Sequence, residues 1–484
     1  MRASGMQKIL VLVVGIWFVA CEAPPLVEKP PVSPETISTS TTHRSTPGVR
    51  DEAVSPQIAA WLRENAVPFR TTRPDTDFAD LMPLKAMIGE ARIVALGEAT
   101  HGTHEFFQMK YRLIRFLVEE MDFNIVAFEA NWPEANLIND YVQSGHGNAA
   151  NSLAGLQYWT WNTQEVLDLI EWMRNYNQQH GNAPPISFYG FDMQSAKLAT
   201  DNVITYLETV DSAAMKSAQV KFACFRPYQD YTWQQPLYAQ QTTETKMACR
   251  RDLQAVYDNL AAHQSAYEAL SSPEAFVLTL QNARIILQNE KMAATSEDGN
   301  FMAVARFDAR DQAMAENVTW LLEQAGPDAK IILWAHNAHV QTVAWNFQDV
   351  RYTPMGNYLR QRYGNELVVF GFSFYTGSFN AFDYDASTGN YHGLKAHPAG
   401  QLPPNNYEQY LHSAGLSHFF LDLRQITPLA SANDWLFESH WFRFVGAVYD
   451  SRGKAEDSAY VVKLPEAFDV LIYIDETSPS ILLQ

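Results

Sequence analysis

Short apolar runs at residues 92–96, 124–128, 186–190, 330–334 and 367–372 each give way to polar or small residues. Runs of this length, rich in Ile, Val, Leu and Phe, read as buried strands. Amphipathic stretches lie between most of them. In residues 106–121, Phe106, Met109, Leu113, Phe116 and Leu117 recur at helical spacing. Residues 165–176 and 311–325 behave similarly. Strands alternating with helices predict an α/β fold, a mostly parallel sheet with helices on both faces. Runs at 417–423 and 469–474 offer further strands.

Ligands of parallel α/β sheets bind outside the carboxyl ends of the strands, so the residues after each run matter most. The first run leads into Gly97-Glu98-Ala99-Thr100-His101-Gly102 and the second into Glu129-Ala130-Asn131-Trp132-Pro133. The third ends at Asp192, the fourth at His336-Asn337-Ala338-His339, and the fifth passes Ser373. One rim would then gather Glu98, His101, Glu129, Asp192, His336 and His339. A lone histidine at a strand end is more often structural; the joint placement points to an enzyme. His101 suits general-base work near neutral pH, and Glu98 could orient it. His336 and His339 could supply a second acid or hold an oxyanion. Lys110 could pair with a carboxylate or a substrate oxygen.

Several devices are absent from the sequence. It has no Gly-x-Ser-x-Gly elbow, no phosphate-binding Gly-x-x-x-x-Gly-Lys and no Gly-x-Gly-x-x-Gly. His104-Glu105-Phe106-Phe107-Gln108 lacks the second histidine of a zinc-protease helix. The two His-x-x-His pairs with Glu98 and Glu129 would nonetheless suffice as divalent-metal ligands, so a metal-dependent hydrolase acting on an envelope ester stays open. The other class of reading is a non-catalytic surface binder of a small molecule, glycan or haem.

Residues from about 200 to 300 break the alternation. Segments 201–210, 252–270 and 273–293 read as helices, and 222–245 as irregular and aromatic-rich. They predict a helical insertion covering the strand C-terminal rim. The formal charge is −19, which argues against nucleic acid because neutralising phosphates needs a basic face.

Residues 1–20 read as a lipoprotein-type signal peptide. Arg2 and Lys8 precede an apolar run ending in Phe18-Val19-Ala20-Cys21. That run is too short to span a bilayer, and Cys21 stands where a bacterial lipobox carries its acylated thiol. Residues 21–54, rich in Pro, Ser and Thr, read as a tether, with residues 55–484 the folded domain. The expected location is the bacterial cell envelope, outer membrane or periplasm, with the lipid on Cys21 as the one membrane contact. In an oxidising compartment Cys224 and Cys249 could form a disulfide or stay as thiols.

The ordered motifs resemble the erythromycin esterase family. The first is Gly97 to Gly102 followed by Glu105-Phe106-Phe107 and Lys110; the second is Phe128 to Pro133. Trp161 to Val166, Tyr189 to Asp192, Arg310 to Asn317, Trp334 to His339 and Ile474 to Thr477 follow in order. The resemblance implies a carboxylic ester hydrolase that opens a macrolide lactone, without a serine nucleophile or a metal cofactor. It implies His101 as the base that activates water, with Glu98, Glu129 and His336 beside it. Lys110, Glu105, His339, Trp132 and Asp192 are then expected at the substrate. Lys110 falls where the antibiotic-inactivating members carry Arg, which keeps the charge and loses the planar fork. The expected partner is a small-molecule ester or lactone.

Overall fold

The computed structural model describes residues 54–483 except 182–183, 231–234, 296–303, 348–349 and 430–431. The expected signal peptide, Cys21 and all but the last residue of the tether lie outside the described residues. No described helix is long and apolar enough to cross a membrane.

The strands in chain order are β1 (Val67–Pro68), β2 (Ile93–Leu96), β3 (Ile125–Asn131), β4 (Ser187–Asp192) and β5 (Ile331–Trp334), then a hairpin of β6 (Trp345–Phe347) and β7 (Val350–Tyr352). After these come β8 (Leu367–Asp385), β9 (Asn390–Pro398), β10 (His418–Asp422), β11 (His440–Arg443), β12 (Val448–Tyr449), β13 (Ala459–Val462) and β14 (Val470–Thr477). A ten-stranded sheet runs β1-β10-β14-β8-β2-β5-β3-β4, with β9 and β12 also paired to β8. Its centre from β14 to β4 is parallel. β1 and β10 extend one edge antiparallel. The α/β expectation holds, with that mixed edge as the addition.

Side chains alternate across the central strands, as a sheet buried on both faces requires. Val94, Leu96, Val126, Phe128, Ile332 and Trp334 join one apolar cluster. Ile93, Ala95, Ile125, Ala127, Ile331 and Leu333 join the other. The helices His104–Met121, Trp132–Ser144 and Gln164–Gln179 contribute to the first cluster. The helices Val304–Ala325 and Met355–Tyr363 contribute to the second.

The register places the site. Leu96 and Phe128 both lie opposite Trp334, and Leu96 also lies opposite Phe370. β2 and β5 therefore stop at one level, which β3 and β8 pass, and the residues beyond that level start side by side.

The region between β4 and the helix Val304–Ala325 is helical, comprising Lys197–Val210, Ser212–Phe222, Thr243–Ala262, Gln264–Leu270 and Pro273–Ala294 among others. The expected single helix at 252–270 breaks at His263. The stretch read as irregular contains a 3-10 turn (Arg226–Tyr228) and a short helix (Gln235–Ala239). Cys224 and Cys249 are disulfide-bonded. Polar side chains fasten this region to the sheet: Asn289 Nδ2 donates to the carbonyls of Met193 and Gln194, just past β4, at 2.8 Å each.

β8 outruns the parallel sheet and turns back through β9 as a hairpin arm. Gly377 marks the departure. Its φ of +112° is open to glycine, and a Cβ there would meet Thr477 O at 2.0 Å.

Candidate active site

The loop after β2 carries Glu98 and His101 on one tight turn. Glu98 Oε1 accepts from His101 Nδ1 at 2.7 Å. Its Oε2 accepts from Lys110 Nζ at 2.6 Å and from Trp334 Nε1 at 2.9 Å. Donors on every side make Glu98 an ionised acceptor, so the proton between the pair sits on His101 Nδ1. His101 Nε2 is thereby left with its lone pair, and among the described residues no atom is hydrogen-bonded to it. The His101 side chain is 9% exposed, whereas those of Glu98 and Lys110 are fully buried. Burial pulls the Lys110 ammonium down to about 8, against the opposing pull of Glu98.

His336, at the end of β5, lies 5.0 Å from His101 between ring centroids. Its Nδ1 accepts from Ala338 N at 3.1 Å, and its Nε2 reaches Val445 O at 3.2 Å. A neutral ring with the proton on Nε2 satisfies both. Burial first, and the neighbouring His101 second, hold its pKa well below the ordinary value.

A second, denser group adjoins this one. Arg310, from the middle of the helix Val304–Ala325, donates through Nη2 to Glu129 Oε1 at 2.7 Å and to Asp192 Oδ2 at 2.6 Å. Glu129 Oε2 accepts from the His336 backbone N–H at 3.0 Å. Burial alone would raise the Glu129 pKa, but the charges of His339 and Arg310 outweigh it and hold the carboxyl well below its usual range. His339 Nδ1 donates to Asp311 Oδ1 at 2.8 Å, and Tyr352 OH and Met355 N donate to the same carboxylate. Burial opposes a charge on His339, yet Asp311 and Glu129 push the imidazole up to about 9. Its Nε2 faces Glu129 Oε1 at 3.3 Å and Arg310 Nη1 at 3.0 Å.

The structure thus brings together Glu98, His101, Glu129, Asp192, His336 and His339. Lys110 joins from below, sealed behind Glu98. Glu105 and Trp132 go elsewhere. Both Glu105 oxygens accept from Ser478, through N–H and Oγ, at 2.6 Å. Trp132 is fully buried, edge-on to Trp320. The imagined metal set does not fit a cation. Glu98 is filled by donors, both His336 nitrogens are engaged, and Arg310 occupies the position between Glu129 and Asp192. Among the described residues, no group of three or more His, Cys, Asp or Glu could hold a metal ion.

Arg310, Asp311 and Trp334 carry site contacts that sequence reading assigned to no role. Arg310 and Asp311 sit inside a helical pattern, where charged residues ordinarily mean a solvated face. The signal available was their place in a motif with no surface reason for it.

Comparison with known proteins gives the family and the fold. The family model described as Erythromycin esterase matches residues 118–477. Erythromycin esterase type II of Escherichia coli is 26% identical over 436 residues, covering 87% of this chain and 98% of its own. A solved protein from Bacillus cereus is 31% identical, with a TM-score of 0.75 over 88% of this chain and 99% of that one. An erythromycin esterase solved in its open conformation shares the fold at a TM-score of 0.67 and 20% identity, over 87% of this chain and 99% of that one. With the family model spanning well over half its length and these likenesses running along most of it, the chain belongs to the erythromycin esterase family.

Proposed function

We propose that this protein is a hydrolase that opens ester or lactone bonds with a water molecule activated by His101. Family membership supports hydrolase chemistry. The observation that carries the finer reading is the asymmetry of His101: Nδ1 is held by Glu98, while Nε2 has no hydrogen-bond partner among the described residues, on a side chain that keeps 9% exposure.

In this mechanism His101 Nε2 takes a proton from water as the water oxygen attacks the carbonyl carbon. Glu98 stabilises the imidazolium that forms. The carbonyl π pair moves onto oxygen, giving a tetrahedral oxyanion. The C–O bond to the leaving alkoxide then breaks, and His101 returns the proton to it. The products are a carboxylic acid and an alcohol, joined in one chain when the substrate is a lactone. Glu129, held by Arg310 and the His336 backbone, lies beside the ring to orient the water. For the oxyanion we assign Arg310 rather than Lys110, since the Arg310 side chain keeps 6% exposure and that of Lys110 none. With both nitrogens occupied, His336 acts as a wall and a second-rank support for Glu129. We place the chain in the bacterial cell envelope on the strength of residues 1–21, with a macrolide-like lactone or an envelope ester as substrate.

The test is mass spectrometry of a macrolide, lactone and simple-ester panel incubated with the purified protein, beside His101→Gln. The expected outcome is a substrate that gains the mass of one water, with the variant slower by about a thousandfold or more. A His101→Gln variant that hydrolyses at the wild-type rate would sink the mechanism. Bound ligand recovered chemically unchanged from the whole panel would favour the non-catalytic binder.

A further inference from the structure

We infer that residues 478–483 form a strap that positions the His101 loop, and that Asn380 is the positioning residue that ties the strap down. The inference rests on the assignment of His101 as the base.

Gly102, the residue directly after His101, presents its carbonyl to two backbone donors. One is Asn380 N, from the β8 arm, and the other is Ser480 N, each at 2.9 Å. A Cβ at Gly102 would meet Asn380 O at 2.1 Å, so the arm lies flush against the loop and any side chain there would push it away. The Asn380 side chain, 4% exposed, then donates to Ser480 O at 2.7 Å and lies 3.2 Å from Ser480 Oγ. One residue therefore grips the His101 loop through its backbone and the strap through its amide.

The strap is held at both ends by first turns of helices that flank the site. His104 N donates to Ser478 O at 2.9 Å, and Glu105 takes Ser478 N–H and Oγ. Further along, Gln164 N donates to Ile481 O at 2.8 Å, and Glu165 accepts from Ile481 N at 3.0 Å. His104 Nδ1 is also hydrogen-bonded to Glu165, closing the frame. Leu483 N donates to Asn162 O at 2.9 Å, one residue from Trp161, whose ring meets His101 edge-on. These bonds fix the backbone on either side of the catalytic imidazole without touching the imidazole. Misplacing a reacting group by about 1 Å costs on the order of a hundredfold in rate, so such a frame bears directly on turnover.

The experiment follows the His101 ring nitrogens by NMR in the full-length protein, with the signal identified by its loss in His101→Gln. Asn380→Ala removes the amide bonds and keeps the backbone bond to Gly102; Ser480→Ala removes only Oγ. In the wild type and Ser480→Ala, His101 is expected as one tautomer, protonated on Nδ1. In Asn380→Ala the tautomers are expected to mix, and kcat on any substrate found is expected to fall at least about tenfold with KM little changed. A folded Asn380→Ala protein with the wild-type tautomer and kcat would overturn the inference. Should Asn380→Ala not fold, Asn380→Ser, too short to reach the Ser480 carbonyl, is read in the same way. The tautomer is read without substrate, so absence of hydrolysis by the wild type would count against the esterase reading and leave this test intact.

Discussion

Two cations stand close to the carboxylates of the site, and their surroundings give them different work. Lys110 is walled in by Glu98, the Ala335 carbonyl and the Trp334 ring, 4.7 Å from its Nζ. Its task is to neutralise Glu98 so that a carboxylate can stand behind His101. Removing one partner of a buried pair strands the other charge. Lys110→Met is therefore expected to cost about 3–5 kcal/mol of stability, measurable by denaturant unfolding. Arg310 spreads its fork over Glu129 and Asp192. A lysine ammonium cannot reproduce that planar geometry. Arg310→Lys is expected to lower kcat about 10²- to 10³-fold with a smaller change in KM, checked by steady-state kinetics on the identified substrate. A rise in KM with kcat unchanged would remove Arg310 from the oxyanion role.

At the level of elements, the helix His104–Met121 must hold a fixed place because it carries Lys110 and follows the His101 loop. Its outer anchor is Arg112, fully buried, which donates to Asp80 Oδ1 at 2.6 Å and Oδ2 at 3.1 Å and to Thr71 O at 2.7 Å. Burial raises the Asp80 pKa, but Arg112 and the Arg70 backbone N–H win and lower it from 3.8 to about 2. A depressed carboxylate stabilises the fold above its unfolded pKa, and that contribution fades as pH falls through its folded value. Asp80→Asn is thus expected to cost about 3 kcal/mol at neutral pH. The difference from wild type should shrink between about pH 4 and pH 2. Thermal unfolding of both proteins across that range checks it; a difference independent of pH would show that the pair contributes by packing alone.

For the molecule as a whole, the helical region after β4 has its own apolar cluster and its own disulfide, and it meets the sheet partly through amides such as Asn289. Closing a loop between residues separated by 25 in sequence is worth about 3 kcal/mol in the chain-entropy account. Reduction is therefore expected to loosen residues 197–294 and to leave the sheet core intact. Hydrogen exchange measured with and without reductant should show faster exchange in that region and unchanged protection in β2, β3 and β5. Equal loss of protection in both would mean that the insertion and the sheet unfold as one unit.

Local periodicity in the sequence determined the elements. Strand-length apolar runs and helical spacing follow from side-chain burial over a few residues, so the alternation, the helical insertion and the polar residues at the strand ends were all legible. The motif residues His101, Glu98, Glu129, Asp192, His336 and His339 were legible as candidates for the same reason: each lies within a few residues of the end of an apolar run. Only the tertiary structure decided their partners. The common level of Leu96, Phe128 and Trp334 is a matter of register, which depends on pairing across hundreds of residues. Arg310 enters from the middle of a helix, Val445 from a loop, Asn380 from an arm and Ser480 from a strap. No local pattern marks such residues, because what makes them part of the site is a contact and not a composition. The two candidates that stand apart from the group share that cause. Glu105 and Trp132 sit in the same motifs, but Ser478 takes the Glu105 carboxylate and the core takes the Trp132 ring.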